Sequence, residues 1–312
     1  MKLAIASTPT MDTLTIHFAT QAEAKKLVVA ADDFSENLNQ FDYDLRLRKP
    51  NSTADEWKAL VQHETLAWTP QEKQRVIKAF RTLRRNVQDL QLQLPYPDKV
   101  ILIKTTMKEE LDAGGYTRKN WIALADNVLQ HANDGQLAML IGHELFHVLS
   151  RHCHAFKQTA YATIGFEVLN HEIVFPTDIM EKRISNPDIA RRDSYISLTV
   201  DGKKQNCAEM IYTSRPFTEG GIMDYLCVGF VPLDAQFRPL VKEGATLLYP
   251  IEKVAAEFKE KVGANTSYNI DPEELSAEHF SFLLTRLQGL PNPEIIDDLK
   301  VRLQNFQYDL NQ

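Results

Sequence analysis

The chain lacks any apolar run of the roughly 20 residues needed to span a bilayer, so nothing in it predicts a transmembrane helix. Near its start, one lysine and a short apolar patch are soon followed by polar residues, so we expect no secretory signal. An excess of positive charge is also missing: the net charge is −7, whereas nucleic-acid-binding domains are usually basic. We therefore expect a cytoplasmic protein, with export by a route that uses no ordinary signal peptide as the alternative, and we expect neither a membrane nor a nucleic acid among its partners.

Cysteine is scarce as well. Cys153, Cys207 and Cys227 are too few and too widely spaced for a disulfide framework or a paired-cysteine zinc site. Reduced thiols are therefore expected. What the chain does have is ordinary for a soluble globular protein: 312 residues, of which 44% are hydrophobic and 25% charged. This length and composition allow a sizeable core.

Capping signals predict where two early helices begin. Thr53 with Glu56, and Thr69 with Glu72, have the capping-box spacing, and Pro70 suits a first helical position. After Pro70, apolar residues recur at helical spacing, which supports the second of these helices. Further helices are expected at about 134–152, 250–262, 271–287 and 292–306.

Strand signals fall between these helices. Apolar and β-branched runs predict strands at 99–106 and 116–125, separated by a turn at Gly114-Gly115. Asp201-Gly202 supplies the positive φ angles of a tight hairpin turn between two further strands. Because helices and strands do not alternate regularly, we expect an α+β fold, mainly helical with a small mixed or antiparallel sheet.

The same order of elements predicts how the chain is organised. Its length suits one large domain or two small ones, and no internal repeat is evident. We expect a single domain over 1–312. It would comprise an N-terminal lobe at about 1–155, a β-rich insertion at about 165–249 and a helical C-terminal part at about 250–312.

One predicted helix carries an unusual set of polar residues. Inside the apolar stretch LAMLIGHELFHVLSRHCH stands the segment HELFH, which begins at His143 and ends at His147. Residues four apart share a helix face, so these two histidines can present imidazole nitrogens to one zinc ion. Glu144 lies beside them, within reach of a water on the metal, as in the H-E-x-x-H motif. The alternative is that both histidines lie in the core with ordinary hydrogen-bond partners and bind no metal.

A third metal ligand has two candidate sources. In one known arrangement a glycine bend after H-E-x-x-H delivers a third histidine. This chain has Cys153 in place of that histidine, and a Cys153 thiolate could bind the metal, but Ser150 in place of the glycine would not readily take its conformation. The other source is a later helix, YNIDPEELSAEHFSFLL. There Glu274 can bind the metal, and Glu278, four residues on, can accept the free N–H of a zinc-bound histidine. Glu273 and Glu278 remain alternative ligands, and helix capping alone also explains Glu274.

On these residues, HELFH followed by a distant E-x-x-x-[DE] helix, the chain resembles the gluzincin-type zinc metallopeptidases, the thermolysin-like branch of the zincins. The resemblance implies a zincin-like fold and one zinc ion per chain. The chain departs from it at Glu278, where thermolysin has an aspartate. The roles it implies are zinc ligands His143, His147 and Glu274, catalytic base Glu144 and histidine partner Glu278. The stretches YTRKNWIAL, HELFHVLSRH, RISNPD and DPEELSAEHF are also similar to bacterial zincin-like proteins without an established substrate.

The activity implied is zinc-dependent hydrolysis of peptide bonds in a peptide or protein substrate. Tyr268 and His279 are candidates to stabilise the developing oxyanion. In zincins an edge strand pairs with the extended substrate, and we expect 120–125 to be that edge, unless it is an interior strand. The residues concerned are Trp121, Ile122, Ala123 and Leu124. A zinc-bound binding or regulatory module without turnover is the alternative function.

Overall fold

Helices and strands follow one another irregularly along the chain. The computed structural model describes Met11 and residues 14–308. In that part of the chain the α-helices are α1 (Gln21–Leu27), α2 (Gln40–Leu47), α3 (Ala54–His63), α4 (Pro70–Asp89), α5 (Asp126–His131), α6 (Asp134–His152), α7 (His154–Tyr161), α8 (Thr177–Met180), α9 (Ala255–Val262), α10 (Pro272–Thr285) and α11 (Pro293–Gln304). The strands are β1 (Thr15–Phe18), β2 (Thr65–Leu66), β3 (Lys99–Thr105), β4 (Gly115–Arg118), β5 (Trp121–Ala125), β6 (Phe166–Val168), β7 (Ser194–Val200), β8 (Lys203–Tyr212), β9 (Cys227–Pro232), β10 (Val241–Lys242), β11 (Ala245–Thr246) and β12 (Tyr249–Pro250). This mixture confirms the α+β class.

The predicted capping residues begin their helices. At α3, the Thr53 side chain accepts from the backbone N–H of Glu56, and the Glu56 carboxylate accepts from the N–H of Thr53. Thr69 and Glu72 make the same reciprocal pair at the start of α4. Each pair satisfies N–H groups that a helix start leaves without intrahelical partners, so both predictions are confirmed.

The first sheet has mixed topology. Its strand order is β1-β3-β5-β4, and β2 pairs with the end of β3. β1, β3 and β5 run parallel, whereas β2 and β4 are antiparallel to their neighbours. β4 therefore forms an edge of this sheet, and it packs next to α6.

Two predictions about this sheet are wrong. The segment 116–125 is two strands rather than one, because Lys119 has a φ of 49° and the chain reverses between β4 and β5. The Gly114-Gly115 pair is not the turn, since Gly115 already belongs to β4 and left-handed residues occur earlier, at Leu111 and Asp112. A lysine–asparagine pair lacks the glycine that marks most two-residue hairpins, which hides this reversal in the sequence.

The expected edge position of residues 120–125 is also wrong. β5 is hydrogen-bonded to β3 on one side and to β4 on the other, so it is an interior strand. Ile122 and Leu124 pack in one hydrophobic cluster, and Trp121 and Ala123 pack in another on the opposite face. Both faces of β5 are therefore filled by core packing, which leaves no room for a substrate beside this strand. The edge belongs to β4.

The second sheet is antiparallel, with the order β12-β9-β8-β7-β6. Its β7–β8 hairpin turns at Asp201, with a φ of 50°, and Gly202, with a φ of 77°. This confirms the hairpin predicted from the Asp-Gly pair. β10 and β11 form a separate two-stranded ladder. All these strands lie between Phe166 and Pro250.

One hydrophobic cluster fixes α6 within the fold. It includes residues of α4, α6, α7 and α10 together with residues of both larger sheets. The rings of Phe146, Phe156 and Phe280, from α6, α7 and α10, pack with centroids 5.5, 5.6 and 5.8 Å apart. This packing sets how α6 and α10 face each other. Among the described residues, no helix has the length and apolar character needed to cross a membrane.

Candidate metal centre

Two helices bring the predicted ligands together. α6 begins at a capping box formed by Asn133 and Gln136, and its buried face packs against α10. His143 and His147 lie one turn apart on α6, while Glu274 lies in the first turn of α10. The contact between the two helices therefore gathers side chains that are far apart in the sequence.

The ligand atoms of these three residues converge. Nε2 of His143 lies 3.1 Å from Oε2 of Glu274, and Nε2 of His147 lies 3.9 Å from the same oxygen. Atoms that bind zinc tetrahedrally at about 2.1 Å are about 3.4 Å apart. The spacing of His143, His147 and Glu274 is thus close to that of a zinc site, and one ligand atom from each lies within 4.8 Å of the others.

The burial of this cluster favours a cation. His147 is fully buried, and its Nε2 has no hydrogen-bond partner among the described residues. A buried polar atom without a partner costs about 1–3 kcal/mol. A divalent cation between the two imidazoles and the Glu274 carboxylate would provide that partner and would balance the buried negative charge. Two imidazole nitrogens and one carboxylate are a donor set that fits zinc.

Each imidazole is also held through its other nitrogen. Nδ1 of His143 lies 3.1 Å from Oε1 of Glu278, and Nδ1 of His147 lies 3.0 Å from Oε1 of Glu273. We assign the ring N–H to Nδ1 in both cases, which leaves the Nε2 lone pair for a metal. Glu278 lies where the sequence predicts a partner for His143. The matching partner of His147 is Glu273, a role that the sequence did not predict.

Glu273 is the centre of a buried hydrogen-bond network behind α6. The Tyr161 hydroxyl donates to its Oε2 at 2.5 Å, and the Ser150 hydroxyl donates to its Oε1. Burial alone would raise the pKa of Glu273, but the hydrogen bond and charge of His147, the charge of Lys157 and the hydrogen bond from Ser150 together outweigh it, and the pKa falls to about 2. Ser150 stands at the place where one zincin arrangement has glycine. Here it donates to Glu273, which in turn holds His147.

Glu144 faces the edge strand β4. The Thr117 hydroxyl donates to its Oε2 at 2.7 Å. Gly115 makes room for it, because a Cβ atom there would lie 2.9 Å from Oε1 of Glu144 and 3.0 Å from the carbonyl oxygen of Ala123. Burial raises the pKa of Glu144 to about 8, and the nearby Asp188 carboxylate adds to the effect. The site thus holds a carboxylate of raised pKa beside the three candidate metal ligands.

The segment Asn186-Pro187-Asp188, which belongs to the RISNPD stretch of the sequence analysis, contributes two groups to the site. The Asn186 amide donates to Oε1 of Glu274. Oδ1 of Asp188 accepts from the backbone N–H of Thr117 at 2.6 Å and lies 4.0 Å from Nε2 of His147. Glu144, His147 and Asp188 consequently form a second cluster that can hold a cation. No spacing rule links this segment to α6, so only the fold reveals it.

The other predicted residues differ in how near they lie to the cluster. Cys153 ends α6, is half-buried and belongs to neither metal-binding group found among the described residues. Tyr268 is 43% exposed and lines a cleft of about 390 Å³ that His143 and Glu144 also line. His279 is buried away from that cleft, and burial lowers its pKa to about 4. Of the two oxyanion candidates, Tyr268 is the one that borders the cleft.

A family model matches the part of the chain that carries α6. The family is described as peptidase family M48, and the match spans residues 77–181, about a third of the chain. It includes the HELFH segment and ends before Glu274. No curated protein and no solved structure matches the chain. The match supports a metallopeptidase family, and it does not extend to α10 or to most of the second sheet.

Proposed function

We propose that this chain is a zinc-dependent peptidase of the gluzincin type, acting on an extended peptide or protein substrate. The observation that carries the proposal is the convergence of His143, His147 and Glu274 beside the buried carboxylate of Glu144. The M48 match over α6 supports the same class of reaction. Zinc suits the site better than magnesium or calcium, because two of its three ligand atoms are imidazole nitrogens.

In this proposal Glu144 moves the proton. Zinc, when bound, lowers the pKa of a water molecule and polarises the scissile carbonyl. Glu144 accepts the proton of the attacking water and delivers it to the leaving amine. Its pKa of about 8 is that of the metal-free site, and a nearby cation favours the ionised form that can act as a base.

Tyr268 is proposed to stabilise the developing negative charge on the substrate carbonyl. It borders the same cleft as Glu144 and Glu274. The charge of Glu274, together with burial, raises the pKa of the Tyr268 hydroxyl, so the hydroxyl keeps the proton that it would donate. A preorganised donor of this kind acts most strongly where charge develops in the transition state.

In this proposal the substrate pairs with β4, the edge strand, and not with β5 as the sequence predicts. On an edge strand, the backbone groups of alternate residues point away from the neighbouring strand. Thr117 already uses its outward groups, because its N–H donates to Asp188 and its C=O accepts from Arg151 at 2.7 Å. By the same alternation the N–H and C=O of Gly115 point outward, close to Glu144. A substrate strand is therefore proposed to pair at Gly115 and to end before Thr117.

One observation favours a second candidate function, a zinc-bound binding or regulatory module without turnover. Oδ1 of Asp188 lies 4.0 Å from Nε2 of His147, which is near the spacing of two ligand atoms. With Asp188 as a fourth protein ligand, no position would remain for water, and closed sites of this kind are structural. The hydrogen bond from Thr117 to Asp188 favours the open site, since it already gives this carboxylate oxygen a partner.

Metal content and hydrolysis together test the proposal. Wild-type protein should hold about one zinc ion per chain and cleave denatured, fluorescently labelled casein. Glu144→Gln should keep the zinc and lose about 100- to 10,000-fold of the cleavage rate. Zinc without cleavage in the wild type, with cleavage gained in Asp188→Asn, would select the second candidate. A wild-type protein that binds no zinc would overturn both.

A further inference from the structure

A separate cavity lies behind the C-terminal end of α6. It encloses about 350 Å³, at the lower end of the roughly 300–1,000 Å³ typical of ligand sites, and it shares no lining residue with the cleft at the candidate metal centre. Its walls come from the ends of α6 and α10, from α7, from the chain between β6 and β7, and from Asp33. Ser150 and Glu273, which hold His147 from behind, form part of the wall. The size suits a small molecule.

The lining of this cavity is charged from its rim to its floor. Glu172 and Arg191 are about half exposed, and Nε of Arg191 lies 3.5 Å from a carboxylate oxygen of Glu172. Asp193 is fully buried, and Lys157 is nearly so. Ala190 is the one lining residue without a polar side chain. An apolar ligand would therefore find almost no apolar surface here.

The buried carboxylate of Asp193 is only half satisfied. Its Oδ1 accepts from Nζ of Lys157 at 2.5 Å. Its Oδ2 is shielded and has no hydrogen-bond partner among the described residues. Nδ1 of His154 and Nε of Arg191 lie 4.0 and 3.9 Å from this oxygen, which is too far for a hydrogen bond. A buried carboxylate oxygen is stabilised by a donor, and a charged donor binds most strongly.

Unused donors lie in the same lining. Two guanidinium nitrogens of Arg151 donate to the backbone carbonyl oxygens of Thr117 and Pro187, at 2.7 and 2.5 Å, but its Nε has no partner among the described residues. Lys157 has three N–H groups. It uses one on Asp193 and another on a backbone carbonyl oxygen at 3.3 Å. The cavity therefore also offers donors to an anionic group.

We propose that this cavity binds a small free α-amino acid, with its ammonium group on Asp193 and its carboxylate on Arg151 and Lys157. A ligand with only a negative charge would lie beside the carboxylates of Asp193 and Glu172. A ligand with only a positive charge would lie beside Arg151 and Lys157. Either one would lose its water and gain a like charge as a neighbour, which is unfavourable. A zwitterion instead provides a counter-charge for both signs.

Small molecules that differ by one charged group test this directly. The probes are L-alanine, propionate, which lacks the amino group, and ethylamine, which lacks the carboxyl group. The protein is the full chain, dialysed free of excess zinc, and isothermal titration calorimetry at neutral pH gives each Kd. We expect L-alanine to bind at least about tenfold more tightly than either analogue, because each lost charge removes a charged hydrogen bond. No binding of L-alanine, or equal binding of propionate or ethylamine, would overturn the proposal.

Variants of the lining locate the bound amino acid. Ala190→Trp puts a large side chain into the cavity and should weaken the binding of L-alanine at least about tenfold. Ala54→Trp is the matched control, because Ala54 is also half-buried but lies in α3 and does not line the cavity. Asp193→Asn keeps the shape of the side chain and removes its charge, so a loss of similar size is expected.

Binding of L-alanine at wild-type affinity in Ala190→Trp would place the ligand elsewhere and overturn the proposal. If Asp193→Asn does not fold, Ala190→Trp decides alone. The probes contain no peptide bond, so the result is independent of the proposed peptidase. A chain that binds L-alanine and cleaves no casein would keep this site and lose the peptidase. A chain that cleaves casein without binding L-alanine would keep the peptidase and lose this site.

Discussion

Two neighbouring cavities, which share the lining residues Ala113, Gly115, Asp188 and Tyr268, are built in opposite ways. We call the cleft of about 390 Å³ at the candidate metal centre the polar end, and the adjoining cavity of about 660 Å³ the apolar end. At the polar end, buried carboxylates are paired with particular groups: Glu273 and Glu278 with histidine nitrogens, and Glu274 with the Asn186 amide. At the apolar end, Arg46 and Glu110 are paired with each other, and most of the other lining residues are aliphatic. The polar end therefore depends on individual atoms, whereas the apolar end depends on shape. Changes at the polar end should therefore alter metal binding, and changes at the apolar end should leave it unchanged.

The largest effect is expected from removing an imidazole at the polar end. His147→Ala deletes one of three proposed ligands, so zinc affinity should fall by more than about 100-fold, beyond the loss expected for a hydrogen-bond partner. His152→Ala is the control, because His152 is exposed on the same helix. Metal analysis after dialysis against a weak chelator measures both. Equal zinc in the two variants would refute the site.

The next effect concerns the carboxylates of α10. Glu278→Ala should lower zinc affinity about 10- to 100-fold, because His143 loses the acceptor that orients it. Glu274→Ala should lower it more than Glu273→Ala, since Glu274 faces both Nε2 atoms while Glu273 contacts only the far nitrogen of His147. Competition with a zinc dye gives the order. A larger loss in Glu273→Ala would mean that α10 presents a different residue to the metal.

The sequence predicts the polar end well for a local reason. A helix fixes which residues share a face, so HELFH alone places His143 and His147 side by side with Glu144 next to them. The helix of Glu274 and Glu278 is recognised in the same way, from four-residue spacing and an apolar context. Only the contact between the two helices had to be assumed, and the structure supplies it.

The sequence fails where position depends on pairing between distant segments. The interior place of β5 depends on its bonds to β3 and β4, and no residue within Trp121–Ala125 encodes which strand is at the edge. Asn186 and Asp188 reach the site because their segment lies against β4, where Thr117 and Arg151 hold it. Such contacts are set by tertiary structure, so a pattern of residue types does not predict them.

A smaller effect is expected at the border between the two ends. Gly115→Ala would put a Cβ atom 2.9 Å from Oε1 of Glu144 and 3.0 Å from the carbonyl oxygen of Ala123, so Glu144 must shift. We expect peptide hydrolysis to fall about tenfold while zinc content stays unchanged, since misplacing a catalytic group costs rate. Gly114→Ala is the neighbouring control, because its added Cβ atom would meet only side-chain carbons at 3.6 Å or more. If both variants keep full activity, the packing of Gly115 against Glu144 does not matter for the reaction.

The smallest effect on the site is expected from Glu109, which contacts Tyr116 in the lining of the apolar end. Changing Glu109 should alter the stability of the protein instead. Glu109 is fully buried, its Oε2 has no partner among the described residues, and Tyr116 donates to its Oε1 at 3.4 Å. Burial raises the pKa of Glu109 from 4.5 to about 7. Glu273, equally buried at the polar end, has a pKa lowered to about 2 by its histidine. At neutral pH the carboxyl group of Glu273 is therefore ionised, whereas that of Glu109 is partly protonated.

The raised pKa of Glu109 predicts how the stability of the protein changes with pH. Below pH 4.5 Glu109 is protonated in both states, so it adds no pH dependence. Between pH 4.5 and 7 the unfolded chain releases a proton that the folded chain keeps, so the free energy of unfolding falls as pH rises. At about 1.4 kcal/mol per pKa unit the loss reaches about 3 kcal/mol above pH 7. Glu109→Gln should remove this loss, whereas Glu36→Gln, at an exposed position, should keep it. Urea unfolding at pH 5 and pH 8 measures the difference for each protein, and an unchanged difference in Glu109→Gln would show that Glu109 finds a partner for its charge.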